Sequence, residues 1–179
     1  MLLIAALCLA PFVAAWIAYY FVQPRQANNY GELIPVRPLA DPPLRHLDGR
    51  AFRLSELKGK WIMLQLDRAD CAEACRAKLY SMRQVRLAQG REMDRIERVW
   101  LILDDAPLDT MLMREYDGTR MLRAGASPIL GELPAAGRVS DHIYLIDPLG
   151  NLMLRFPKGA DPDRIRKDLA RLLRVSRIG

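Results

Sequence analysis

Short apolar runs separated by polar turns predict most of the strands of this chain. Residues 61–66 and 99–103 have the length and the β-branched content of buried strands. Two further runs, residues 143–146 and 152–156, flank the sequence Asp-Pro-Leu-Gly. Proline in the second position and glycine in the fourth fit a type I turn, so these two runs predict a β-hairpin.

Apolar residues at helical spacing predict two amphipathic helices. The first begins at Asp70, whose carboxylate caps the helix while Glu73 completes a capping box. Its buried stripe consists of Cys75, Leu79, Met82 and Val85. The second has Asp161 as its cap and Pro162 in its first turn, and it continues to the C-terminal end. A shorter helix is predicted over residues 108–116.

The order of these elements indicates the fold class. Asp48-Gly49 predicts a hairpin turn near the start of the domain, and residues 124–140, rich in Gly and Pro, predict a long loop. Strand, helix, strand, helix, hairpin and helix follow one another in the order of a thioredoxin-like α/β domain. The sequence therefore predicts such a domain over residues 44–179, with a central mixed sheet flanked by helices.

The first 22 residues carry no charged side chain. As a helix they would be about 33 Å long, close to the thickness of the hydrocarbon core of a bilayer. Residues 1–22 therefore predict a transmembrane anchor in contact with membrane lipid, and residues 23–43, with five prolines, predict an extended tether. The alternative is a cleaved signal peptide with its cleavage site at Val13-Ala14-Ala15, although no basic residue precedes the apolar run.

All 27 Lys and Arg residues follow the apolar run, so the net charge of +6 belongs to the remainder of the chain. Their densest group alternates with leucines on the predicted C-terminal helix and forms its polar face. A solvated face near anionic lipid headgroups accounts for this group. The sequence predicts no nucleic-acid partner.

Cys71 and Cys75 are the candidate reactive residues. One helical turn apart at the start of a helix, they lie on one face, where the helix dipole and Arg68 and Arg76 favour thiolate at Cys71. Such a pair can bind a soft metal or exchange electrons. The alternative is that Cys75 simply continues the buried stripe, which explains Cys75 better than Cys71. The third cysteine, Cys8, is predicted to pack or to face lipid.

Several of these motifs together resemble the SCO/SenC family. They are Gly49 with Phe52, residues 54–61, the Cys71/Cys75 pair, and Asp141-His142 ahead of residues 144–150. Members of this family are membrane-tethered thioredoxin-like proteins that bind copper and assist assembly of the copper centre of cytochrome c oxidase. The resemblance implies copper ligation by Cys71, Cys75 and His142 and a cytochrome c oxidase subunit as partner. It also implies a single-pass protein of the bacterial inner membrane with its domain on the periplasmic side, whereas Arg25 and Arg37 after the apolar run favour a cytoplasmic domain by the positive-inside rule.

Ligand chemistry agrees with copper. Two thiolates and one imidazole suit copper, especially Cu(I), whereas structural zinc would require a fourth ligand. The chain departs from the family pattern at Ala72 and Arg76, where prolines commonly follow the cysteines. His142 precedes Tyr144 by two residues, where about five are expected, and this shortening turns the imidazole to a different face of the sheet. The other histidine, His46, is predicted to be a surface or strand residue.

Three functions are open at this point. The first is a copper metallochaperone or assembly factor for cytochrome c oxidase. The second is a thiol-disulfide oxidoreductase in which Cys71 attacks a partner disulfide and Cys75 resolves the mixed disulfide. Thioredoxin-type enzymes carry C-x-x-C, however, and this chain has C-x-x-x-C. The third is a non-catalytic scaffold that binds an oxidase subunit.

Overall fold

The structure, a computed structural model, describes residues 9–17, 29–176 and 178. The predicted anchor, residues 1–22, lies largely outside these ranges, and the part that is described, residues 9–17, is helical. Within the described ranges, no helix has both the length and the apolar character needed to cross a membrane. The anchor stays a prediction.

One eight-stranded mixed sheet organises the chain from residue 32 onward. In chain order its strands are β1 Glu32–Pro38, β2 Leu44–His46, β3 Ala51–Phe52, β4 Trp61–Asp67, β5 Ile96–Ile102, β6 Thr119–Arg123, β7 Ile143–Ile146 and β8 Asn151–Phe156. In space they lie in the order β1-β8-β7-β4-β5-β6-β2-β3. β5 pairs in parallel with both β4 and β6, and the other neighbours are antiparallel. The predicted mixed sheet and its C-terminal hairpin are confirmed.

The described chain after residue 29 forms four α-helices, which are α1 Glu73–Leu87, α2 Thr110–Glu115, α3 Ile129–Glu132 and α4 Pro162–Val175. Short 3-10 segments cover Leu54–Leu57, Gly90–Arg95 and Val139–Asp141. α4 begins as predicted, because the Asp161 carboxylate accepts a hydrogen bond from the backbone N–H of Asp163 at 2.9 Å and Pro162 opens the first turn.

Each face of the sheet packs against its own hydrophobic core. On the face that we call the α1 face, Met63 and Leu145 pack with apolar residues of α1 and α4. On the opposite face, which we call the α3 face, Leu64 and Tyr144 pack with Ile129 of α3. Successive residues of a strand alternate between faces, so β4 and β7 contribute to both cores. Both cysteines of the candidate pair belong to the core on the α1 face.

Residues 32–38, predicted as part of the tether, form the edge strand β1. This strand pairs with β8, with Leu33 opposite Leu154, and its register shifts between Leu33 and Arg37. Pro35 lies within this irregularity. Proline has no N–H to donate, and an irregular edge strand tolerates the loss of one hydrogen bond between strands. The structured region therefore begins well before residue 44, because these residues complete the sheet.

A buried carboxylate fixes the segment that leads into β1. The backbone N–H groups of Tyr30 and Gly31 donate to Oδ2 of Asp168 on α4 at 2.7 and 2.9 Å. The guanidinium of Arg164 lies 3.9 Å from the centre of the Tyr30 ring. These contacts hold the N-terminal end of the described domain against α4.

Strand β6 lies in a stretch for which the sequence predicts no strand. Arg120 and Arg123 make this short strand polar in sequence, but each finds a partner in the folded structure. Arg120 forms an ion pair with Glu97 at 3.1 Å, and Arg123 donates to the backbone oxygen of Asp104 at 2.6 Å. The predicted loop over residues 124–140 likewise contains α3 and part of a 3-10 turn.

Candidate functional site

The helix that carries the cysteines begins later than the sequence predicts. α1 starts at Glu73, and its N-cap residue is Ala72, which has no side chain able to cap. The predicted capping box of Asp70 and Glu73 is therefore not formed. Cys75, whose N–H donates to the backbone oxygen of Ala72 at 2.9 Å, lies in the first turn of α1, and Cys71 lies in the loop before it.

Cys71 adopts an unusual backbone conformation. Its φ is +37°, in the left-handed region that non-glycine residues rarely adopt, at a cost of about 1 to 3 kcal/mol. The N–H of Cys71 donates to the backbone oxygen of Arg68 at 3.2 Å, and Arg76 Nε donates to the Cys71 oxygen at 3.2 Å. These bonds hold the peptide in a tight turn between β4 and α1.

Cys71 and Cys75 are joined by a disulfide, with their Cα atoms 5.0 Å apart. The structure thus brings the predicted pair together. Neither sulfur is at the surface, since each cysteine is only 1% exposed. The turn directs the Cys71 side chain towards Cys75 and into the core on the α1 face. Before these sulfurs can bind a metal, the disulfide must be reduced and neighbouring side chains must move.

Gln65 is a site residue that sequence reasoning missed. It lies on β4, is fully buried, and its Nε2 donates to Cys75 Sγ at 3.7 Å. The signal available in the sequence was a single amide inside the apolar run of residues 61–66. Such a residue in a buried strand needs a polar partner, and here the partner is a sulfur atom.

A second polar contact lies one helical turn after Cys75. Lys78 Nζ is 2.6 Å from Oδ2 of Asp67 at the end of β4, and it also donates to the backbone oxygens of Leu66 and Ser140. Burial raises the pKa of the Asp67 carboxyl and lowers the pKa of the Lys78 ammonium, although each group favours the charged form of the other. The pair ties α1 to β4 and to the segment before β7.

A mainly apolar cleft of about 360 Å³ opens beside this pair. Its walls include Ala74, Ala77 and Lys78 of α1, together with residues just before β7 and just after β8. Ala74 is the immediate neighbour of Cys75 in the chain. The cleft therefore borders the first turn of α1, although neither cysteine is among its lining residues.

His142 lies immediately before β7 and is buried. Its Nδ1 is 2.9 Å from the backbone oxygen of Phe156. Because a carbonyl only accepts, Nδ1 carries the hydrogen and Nε2 holds a lone pair, for which the described residues provide no hydrogen-bond partner. The imidazole centre is 6.0 Å from that of Tyr144, and alternation along the strand places both rings on the α3 face.

The three predicted copper ligands are not brought together. In the part of the chain that the structure describes, no group of three or more His, Cys, Asp or Glu side chains is placed to hold a metal ion. The two cysteines pack on the α1 face, and the short spacing between His142 and Tyr144 turns the imidazole to the other side of the sheet. The other histidine, His46, is a strand residue whose ring meets Phe52 edge-on at 5.0 Å.

The same fold occurs in solved structures of Sco proteins. Bradyrhizobium japonicum ScoI with copper bound is 20% identical, with a TM-score of 0.56, and the match covers 75% of this chain and 99% of that chain. Yeast Sco1 with copper bound is 15% identical, with a TM-score of 0.62 and coverage of 78% and 94%. BsSco, a Sco-family cytochrome c oxidase assembly protein with a disulfide switch, is 13% identical, with a TM-score of 0.58 and coverage of 81% and 98%.

These likenesses confirm the resemblance to the SCO family at the level of the fold. A search of curated proteins finds no significant match to the sequence. The family model described as "transmembrane-like, thioredoxin-like, C-terminal domain" matches residues 61–176. This match runs from β4 to the end of α4 and includes both cysteines and His142. The chain therefore belongs to this transmembrane-like, thioredoxin-like family.

Proposed function

We propose that this protein is a membrane-anchored, SCO-like copper-binding protein that assists assembly of the copper centre of cytochrome c oxidase. The observation that carries the proposal is the disulfide between Cys71, in the loop after β4, and Cys75, in the first turn of α1. The fold is shared with Sco structures that have copper bound, and this likeness supports the assignment.

The donor set suits Cu(I) as cargo. Reduction of the disulfide would give two thiols that release their protons on binding a metal, and soft sulfur ligands select Cu(I) over harder divalent ions. In the arrangement observed, the imidazole of His142 would have to leave the Phe156 carbonyl and reach the α1 face before it could become a third ligand. We therefore assign copper binding to the two cysteines.

Copper binding by this pair is coupled to its oxidation state. The disulfide accepts two electrons and two protons from a dithiol reductant, the S–S bond breaks, and the reductant closes its own disulfide. Only the reduced pair has thiolates to offer a metal. Burial of both sulfurs adds a requirement for local opening before a metal can reach them.

The proposed location is the inner membrane of a bacterium, with residues 1–22 as a single anchor and the domain on the periplasmic side. The description of the family as transmembrane-like supports membrane attachment. An oxidising compartment favours the formation of a disulfide such as Cys71–Cys75. The proposed partner is the oxidase subunit that carries a copper centre.

The disulfide itself favours a second candidate function, a thiol-disulfide oxidoreductase. The description of BsSco as having a disulfide switch also supports redox activity in this fold. In this candidate, the dithiol form would reduce a partner disulfide. The sequence predicts Cys71 in the first turn of the helix, but the helix starts at Glu73, so Cys75 occupies that turn. The helix dipole therefore favours the thiolate form of Cys75 and not that of Cys71.

Titration with Cu(I) tests the proposal. The full chain is purified in detergent, reduced, and titrated with Cu(I) against a competing chelator. We expect one Cu(I) per chain, with binding lost in Cys71→Ala and in Cys75→Ala. The matched control is Cys8→Ala, which removes a thiol outside the pair and should bind Cu(I) like the wild type.

Other outcomes select the alternatives. Absence of copper binding together with efficient reduction of a protein disulfide would replace the proposal with the oxidoreductase. Absence of both, with normal oxidase assembly in cells that carry the double variant Cys71→Ala/Cys75→Ala, would favour the scaffold.

A further inference from the structure

Gln65 carries a fully buried amide that has no role in the proposed function. Burying an amide among apolar side chains is unfavourable unless its polar atoms find partners. Its Nε2 donates to Cys75 Sγ at 3.7 Å, and its Oε1 has no hydrogen-bond partner in the described part of the chain. A hydrophobic side chain of similar size would therefore suit this core better, which points to a role at the sulfur.

The hydrogen bond from Gln65 has unequal strength in the two oxidation states of the pair. A disulfide sulfur is a weak acceptor, whereas a sulfur that carries negative charge after reduction accepts an N–H much more strongly. Cys75 also lies in the first turn of α1, where backbone N–H groups and the helix dipole favour negative charge. The hydrogen bond from Gln65 and the helix N-terminus therefore both favour negative charge on Cys75. Cys71 lies outside the helix.

We propose that Gln65 is a positioning residue that stabilises the reduced sulfur of Cys75 and so makes the Cys71–Cys75 disulfide easier to reduce. This inference rests on the proposed use of the pair. In the reaction, a dithiol passes two electrons and one proton to the disulfide and releases its second proton to solvent; the S–S bond breaks to leave a thiol at Cys71 and a thiolate at Cys75, and the reductant becomes a disulfide. Gln65 forms and breaks no covalent bond, and its N–H stays directed at Cys75 Sγ.

The redox equilibrium of the pair tests this role. The full chain, in detergent and in a Cys8→Ala background, is equilibrated with mixtures of reduced and oxidised dithiothreitol in metal-free buffer. We expect the equilibrium constant for reduction to fall about tenfold in Gln65→Met, which is a midpoint about 30 mV more negative. The matched control is Met63→Leu, two residues earlier on the same face of β4, which should keep the wild-type constant. An unchanged constant in Gln65→Met would overturn the proposal.

A measurement on the native side chain covers the case in which Gln65→Met does not fold. The side-chain amide protons of Gln65 are followed by ¹⁵N-edited NMR in the oxidised and the reduced chain. We expect one amide proton to move downfield on reduction, and an unchanged resonance would overturn the proposal. Both experiments are metal-free. A failure to bind copper would therefore contradict the proposed function without contradicting the role of Gln65.

Discussion

His142 and Cys75 lie against opposite faces of the central sheet. Cys75 packs on the α1 face with Ile143 and Leu145, whereas the His142 ring meets Tyr144 on the α3 face. His142 directly precedes β7 with an extended backbone, so its side chain lies on the face of Tyr144, two residues later, and not on that of Ile143. This relationship decides which side chains can share a metal ion in the observed arrangement.

We expect His142→Ala to leave the affinity for Cu(I) unchanged. The variant removes the bond between Nδ1 and the Phe156 oxygen, so it should lower the free energy of unfolding by about 1 kcal/mol. Chelator competition measures the affinity, and urea unfolding measures the stability. Cys75→Ala serves as the comparison that loses copper, and a comparable loss in His142→Ala would show that the imidazole crosses to the sulfurs.

Lys78→Met should destabilise the domain, because it leaves the Asp67 carboxylate without the ammonium that lies 2.6 Å away. Since both side chains are partly exposed, we expect a loss on the order of 2 kcal/mol, below the range for a fully buried pair. The double variant Lys78→Met/Asp67→Leu removes both charges and should recover most of the loss. Urea denaturation measures all three proteins, and equal stability of the single and double variants would contradict this account.

Gly31→Ala should weaken the docking of β1. A Cβ atom at this position would lie 1.8 Å from Leu154 Cδ2, so the Leu154 side chain or the edge strand must shift. We expect a destabilisation of about 1 to 3 kcal/mol, as for other overpacked sites. The matched control is Gly131→Ala, where a Cβ would meet no atom within 4 Å and where stability should hold or rise slightly. Thermal unfolding of the two variants compares them, and equal melting temperatures would refute the steric argument.

Stability should fall above pH 10 because of Tyr144. Burial raises the pKa of its phenol from 10.0 to about 12. The folded state therefore holds this proton more tightly than the unfolded chain, so the contribution is complete below pH 10 and is lost as the pH rises to about 12. The difference corresponds to about 3 kcal/mol.

Tyr144→Phe isolates this contribution from the other groups that titrate at high pH. The variant loses the bond from the phenol to the Pro134 oxygen, so it should be about 1 kcal/mol less stable at neutral pH. Above pH 10 the gap between variant and wild type should close and then reverse. A gap that stays constant across this range, measured by urea unfolding at each pH, would show that Tyr144 does not titrate differently on folding.

The sequence predicts the parts of the fold whose signals are local. The hairpin of β7 and β8 and the start of α4 at Asp161 depend on turn and capping residues close to the elements that they define. Strand β4 is marked by an apolar run that only Gln65 interrupts, as is typical of a strand buried on both faces. β6 escaped prediction because its arginines find Glu97 and Asp104 only after the sheet has formed.

The candidate site was only partly predictable for a related reason. The spacing of Cys71 and Cys75 indicates a pair, and the structure joins them. Their burial and the positive φ of Cys71 depend on a turn that closes through the Arg68 carbonyl, which no spacing rule reveals. The contact between Gln65 and Cys75 links β4 to α1, so it exists only in the tertiary structure.

The two hydrogen bonds from Tyr30 and Gly31 to Asp168 have a mechanical consequence. Tension applied to the chain before residue 29 reaches these bonds and strand β1 before it reaches the sheet interior. The load then passes into α4, and α4 packs against α1. Movements of the N-terminal segment therefore have a route to the helix that carries Cys75, which runs through Asp168 and the contact of α4 with α1.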